Sequence, residues 1–132
     1  MPSGTYTFEI NPIAASRPRI SKFGHAYFSG PYKAFREICD TNKWEALPED
    51  MVPSAGPLRV DVECFVKQPK TTKLAMPKAD VDNYAKAVLD QFNGVLWDDD
   101  CQIRSLYITK DWAELGRDGY FVVSVEEIDD DD

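Results

Sequence analysis

Hydrophobic and polar positions along this chain change period several times, and each change predicts an element. From Thr5 to Ile10, Tyr6, Phe8 and Ile10 alternate with Thr7 and Glu9, the pattern of a half-buried strand, and Asn11-Pro12 ends it. The clearest alternation runs from Pro57 to Val66. There Leu58, Val60, Val62, Cys64 and Val66 share one face, and Arg59, Asp61 and Glu63 take the other. Ile103, Leu106, Ile108 and Trp112 mark another strand, and Tyr120 to Val125 a terminal one whose β-branched and aromatic run predicts burial on both sides. Between these, Tyr32, Phe35, Ile38, Cys39 and Leu47 fall on one helical face, with Ser29 or Gly30 as N-cap and Pro31 in the first turn. A second helix places Tyr84, Ala85, Val88, Leu89 and Phe92 on its buried face and stops at Asn93-Gly94.

The connections carry signals of their own. SRPRISKFGHAYFS sets Arg17, Arg19 and Lys22 before a Phe23-Gly24 turn, and reads either as a loose hairpin or as a basic loop. Pro48, Pro53 and Pro57 form a linker, and Leu115 to Gly119 a turn. Lys67 to Lys78 holds four lysines, two prolines and no acid, which predicts a mobile loop.

Composition narrows the class. A length of 132 residues, 43% hydrophobic, suits one domain with a real core. The net charge of −8 argues against a nucleic-acid partner until its distribution is considered. Without the six acids from Glu126 onward, 15 bases face 17 acids. The reading is therefore a domain over 1–126 and an acidic, disordered tail over 127–132. Three cysteines without CxxC spacing give neither a disulfide framework nor a zinc site, and a single histidine builds no His-rich centre. With no signal-peptide pattern and no long apolar run, a soluble protein of a reducing compartment, without a membrane partner, is expected.

The candidate chemistry lies at the two ends of the second helix. Asp80 and Asp82 precede it, Lys86 rides on it, and Asp98, Asp99 and Asp100 follow it. Helix capping accounts for Asp80 or Asp82 but not for the second cluster. With residues 79 to 82 extended, the first two carboxylates point to the same side and converge on a hard cation, Mg²⁺ or Mn²⁺. Lys86, four residues after Asp82, is expected to return towards that carboxylate. A calcium loop of the EF-hand type fails, because the sixth position from Asp98 is Ile103 and the twelfth is Thr109. The phosphate loop and the nucleophile elbow are both missing.

The run Asp80, Asp82, Asn83, Lys86, followed by Asp90, Asn93-Gly94, Trp97, Asp99-Asp100 and Gln102-Ile103, resembles the RusA family of Holliday junction resolvases. Arg17-Pro18-Arg19 resembles an element near that family's N-terminus. Tyr84, Gln91-Phe92 and the added Asp98 depart from its pattern. The resemblance implies an α+β single domain, with a mixed sheet and two main helices, that acts as a homodimer on four-way DNA junctions in a bacterial cytoplasm, often phage- or prophage-encoded. It implies Asp80, Asp82 and Asp100 as catalytic, metal-binding carboxylates, with Asp99 as fallback or supporting acid. Lys86 would meet the scissile phosphate. Arg17, Arg19, Lys22, Lys67, Lys70, Lys73 and Lys78 would contact the DNA backbone. A nuclease for other branched or flap DNA and an inactive DNA-binding scaffold are the competing readings.

Overall fold

A computed structural model of the chain describes residues 3–28 and 30–128. Among them, strands β1 (Gly4–Phe8), β4 (Leu58–Val66), β5 (Ile103–Trp112) and β6 (Tyr120–Glu127) form one mixed sheet in the order β1-β6-β4-β5. Strands β2 (Arg19–Ile20) and β3 (Ala26–Tyr27) pair as a small hairpin, with Gly24 at φ +82° in its turn, so the basic segment is a hairpin. Helix α1 spans Pro31–Asn42 and helix α2 spans Val81–Leu89. The fold is α+β, a single small domain with two helices on a mixed sheet.

The strand alternation sets which face is covered. Leu58, Val60, Val62 and Cys64 of β4 are buried and lie beside Phe121, Val123 and Val125 of β6. Against this face pack Tyr32, Phe35 and Cys39 of α1 and Tyr84, Ala87 and Val88 of α2. Phe8, Phe92 and Phe121 meet at its centre, with ring centroids 4.9 and 5.1 Å from Phe8. Fully burying each such ring is worth about 2–3 kcal/mol of transfer free energy. β6, between β1 and β4, is buried on that face and half-buried on the other, where Tyr120, Val122 and Ser124 lie. Burial on both sides is thus only partly realised. β4 and β5 run parallel, so α2 is the crossover between them, and its N-terminus opens where β4 ends.

Several local expectations are corrected. Helix α1 ends at Asn42 and continues as a 3₁₀ turn over Lys43–Ala46. Ile38 is on its solvent side, 45% exposed. Gly30 takes the N-cap position, while Ser29 lies outside the described residues. Helix α2 stops at Leu89, before Asn93-Gly94, and Lys43 bonds the turn that follows, donating from Nζ to the Gln91 carbonyl at 2.9 Å. Glu127, read from the sequence as part of the tail, instead belongs to the sheet. It closes β6 and accepts a hydrogen bond from Ser54 at 2.9 Å, and the Ile128 N–H bonds to Pro57. Residues 129–132 lie outside the described residues.

Candidate active site

Asp80 is extended (φ −66°, ψ 143°) and is the N-cap residue of α2, yet its side chain makes no capping hydrogen bond. Asp82 is already helical, so the extended run ends at Asp80 rather than continuing through 82. An acid in the first helical turn is favoured by the helix dipole, and both carboxylates stay exposed. They line, with Asn83, Lys86, Arg17 and the half-buried Phe28, an open cavity of about 730 Å³.

Three contacts hold this cavity in shape. The Ala15 N–H donates to the Asn83 carbonyl at 2.9 Å, pinning the Ile13–Arg17 segment to the first turn of α2. Lys110 of β5 donates from Nζ to the Ala79 carbonyl at 2.7 Å, immediately before Asp80. The Trp112 indole N–H donates to Leu74 at 2.9 Å and ties down the preceding loop. Lys110 and Trp112 were not singled out from the sequence for this role. A lysine in a strand has no local signature that identifies a carbonyl 31 residues earlier as its partner.

Lys86 does not return towards Asp82. Its Nζ stands 4.0 Å from Asp90 Oδ2, one turn further along the helix. The same spacing of four also reaches forward to Asp90, the C-cap residue of α2.

The second acidic group is built differently. Asp99 caps the 3₁₀ turn Asp100–Gln102, accepting from the Cys101 N–H at 3.2 Å, while its own N–H donates to Gln102 Oε1 at 2.8 Å. Gln102 Nε2 donates to the carbonyls of Ser54 and Gly56, each at 2.8 Å. The Asp100 carboxyl is raised above the ordinary aspartate range. Burial raises it most, followed by its hydrogen bond with Asp99 and the charges of Asp99 and Asp90; a hydrogen bond from Asn93 works the other way. Asp100 therefore keeps company with Asp99, Asp90 and Asn93, and it does not line the cavity of Asp80 and Asp82. Among the described residues, no three or more Asp, Glu, His or Cys side chains are gathered closely enough to hold a metal ion. The Asp80–Asp82 pair alone has the right donors for a hard cation of the Mg²⁺ type, which takes one or two carboxylates and fills its remaining positions with water and phosphate.

The basic residues divide. Arg17 joins the carboxylate cavity, and Arg19 lines the one beside it. Lys22 sits in the hairpin turn, its Nζ 5.2 Å from the Phe23 ring centroid. Lys67 faces elsewhere, 3.4 Å from Asp118 on a different cavity. Lys70, Lys73 and Lys78 are exposed along the loop that leads into Asp80.

A profile of the family described as Endodeoxyribonuclease RusA matches residues 9–118, a span that contains the cavity, both acidic groups and the hairpin. The chain belongs to the RusA family. That places it among endodeoxyribonucleases of a family that acts on branched DNA. It is also 30% identical over 129 residues to the "Uncharacterized protein YqaN" of Bacillus subtilis (strain 168), a match covering 85% of this chain and 89% of that protein. Among the described residues, no helix of this RusA-family chain is long and apolar enough to cross a membrane.

Proposed function

We propose that this RusA-family chain is a divalent-cation-dependent nuclease that resolves four-way DNA junctions by paired symmetric nicks, working as a homodimer. The observation that carries the reading is the open cavity in which Asp80, Asp82, Lys86 and Arg17 meet, with Asp80 not engaged in capping its own helix. Asp80 and Asp82 would hold the cation, Mg²⁺ or Mn²⁺. Such an ion supplies charge that polarises a phosphodiester and lowers the pKa of an attacking water. Lys86 steadies the negative charge on the phosphate from within the same cavity. Arg17 contacts a flanking phosphate through its forked donors. Asp100, two residues before Gln102, is the third carboxylate, with Asp99 supporting it from the adjoining turn. The Lys86–Asp90 pair and the influence of Asp90 on Asp100 link that turn to the cavity.

Net −8 gives no overall attraction to DNA, so binding rests on local positive surface. Arg19 and Lys22 on the hairpin and Lys70, Lys73 and Lys78 on the loop supply it, with Lys67 partly engaged by Asp118. A four-way junction has approximate two-fold symmetry, and two symmetric nicks call for two symmetry-related sites. Edge strand β5 leaves Leu106 and Tyr107 exposed, 41% and 61%, which supports a partner along that side.

The test is nicking of a synthetic four-way junction beside a linear duplex of the same sequence. Paired cuts at symmetric positions are expected with Mg²⁺ or Mn²⁺, and binding with little turnover in Ca²⁺. Full activity in excess chelator would refute cation dependence. Equal cutting of the linear duplex would refute junction selectivity and favour a nuclease of broader range. Binding without cutting under all conditions would leave the scaffold reading.

A further inference from the structure

Next to the carboxylate cavity lies a second one of about 540 Å³, and Ser16 and Arg17 line both. Its walls are Pro12, Ile13, Pro31, Tyr32, Val66 and Tyr84. Two of them are flat rings buried almost completely, Tyr32 at 2% and Tyr84 at 5% exposure. Both tyrosines line the cavity, and neither hydroxyl is among the buried polar atoms left without a partner, so each reaches the cavity's open space. Hydroxyls that open into such a cavity bond to water there, and the polar edge of a ligand can take that water's place. Exposed Arg17 and Arg19 complete the lining and make its opening positive.

Apolar walls, two aromatic rings, two hydroxyls and two guanidinium groups match a nucleotide: a planar base with polar edges, joined to anionic phosphates. A lipid chain or an apolar peptide would use the walls but leave both arginines and both hydroxyls unused. The volume lies within the ordinary range of small-molecule pockets. Its place is also right, because a strand whose phosphate rests between Lys86 and the two aspartates passes Arg17 directly, and the next base is tethered one nucleotide away.

We propose that this cavity receives one unstacked nucleobase of the strand held at Asp80 and Asp82, with Tyr84 and Tyr32 reading its edge and Arg17 and Arg19 holding its flanking phosphates. The proposal rests on the nuclease reading above and adds a site of sequence preference beside it. Taking a base out of its stack costs least at a branch point, where pairing is already interrupted. The site thus suits a branched substrate better than an intact duplex.

The experiment is an abasic scan. Four-way junctions carrying a single abasic nucleotide at successive positions around the crossover are titrated with the full chain in Ca²⁺, by fluorescence anisotropy, and a denaturing gel verifies that the DNA stays uncut. One position is expected to lose affinity by about tenfold, the scale of losing a base's edge hydrogen bonds. Ala14→Trp, which fills the cavity, should bind the unmodified junction more weakly and abolish the penalty at that position. Tyr84→Phe keeps the ring and the fold; it should retain the penalty but reduce discrimination among the four natural bases there by about three- to tenfold, the scale of one hydrogen bond. A uniform abasic profile, or a penalty unchanged in Ala14→Trp, would overturn the pocket while leaving the nuclease reading intact. No junction binding by the wild-type chain at all would sink that reading, and the pocket with it.

Discussion

The two acidic groups at the ends of α2 look alike as sequence and differ as structure. Asp80 and Asp82 are exposed, make no capping bonds and face an open cavity beside Lys86 and Arg17. Asp99 and Asp100 belong to a bonded turn: Asp99 caps it, Gln102 ties it to Ser54 and Gly56, and Asp100 is half-buried among other acids. Carboxylates kept apart from the hydrogen bonds of their own chain remain available to a ligand. A carboxylate engaged by a backbone N–H, as Asp99 is, shapes the backbone around it. The first group is left open to a ligand, and the second is held by its own turn, from which Asp100 would act in its proposed place as third carboxylate.

The strongest way to break this contrast is to neutralise each group in turn. Asp80→Asn and Asp82→Asn should each lower junction nicking at least about a hundredfold, the scale of losing a charge-stabilising group at a reacting centre. Thermal melting should change little, because relief of like-charge repulsion offsets the lost attraction of an acid to the helix N-terminus. Asp100→Asn should also lose nicking without loss of stability, since burial and neighbouring acids already disfavour its charge. If Asp99→Asn were inactive and Asp100→Asn active, the assignment within the turn would be reversed.

A smaller effect separates bonding from chemistry. Gln102→Ala removes three hydrogen bonds that fix the turn, one of them to Asp99. It should cost about 1–3 kcal/mol in urea unfolding, because the part-buried Gly56 carbonyl loses its donor and Ser54 keeps only the Asp98 N–H. By contrast, Lys110→Met removes the bond to Ala79 and should affect nicking more than stability, since it loosens the approach to Asp80. Equal losses in both measurements for both variants would erase the distinction between the two ends.

The smallest effects are in affinity and labelling. Lys70→Ala with Lys73→Ala should flatten the salt dependence of junction binding by about two phosphate contacts. Deletion of 129–132 should leave that affinity the same or strengthen it. Cys101 is exposed in the acidic turn, whereas burial pushes the thiols of Cys39 and Cys64 up to about 12. Iodoacetamide should therefore modify one cysteine per native chain, and Mn²⁺ should not slow it if the cation sits at the head of α2. The raised thiols also fix a direction with pH. Their contribution to stability is complete below the ordinary value of 9.0 and is lost as pH rises through about 12, so urea midpoints should fall over that window.

Most of the fold was legible because its signals are local. The alternation at Leu58–Val66 is that of a strand buried on one face, and it is observed over the same residues. Gly94 in the turn after α2 adopts φ +77°, the left-handed conformation its position called for. Ile38 was misjudged because helical spacing shows which residues share a face, not where the edge of the packed stripe lies. The acidic groups were legible as composition, and their difference was not. Whether an aspartate faces a cavity or caps a turn depends on partners such as Ser54, Gly56 and Lys110, far away in sequence. The cavity behind Arg17 was not legible for the same reason, since its walls come from four separate segments.

The most direct test of the open-versus-bonded contrast needs no DNA. Mn²⁺ binding to the isolated protein, followed by the loss of the free-ion signal in electron paramagnetic resonance, should be weakened at least about tenfold by Asp80→Asn combined with Asp82→Asn, the usual scale for losing groups around a metal. Asp98→Asn, outside both the cavity and the capped pair, should bind as the wild type does. Undiminished binding in the Asp80/Asp82 double variant would contradict the assignment and move the cation to the turn at Asp99 and Asp100.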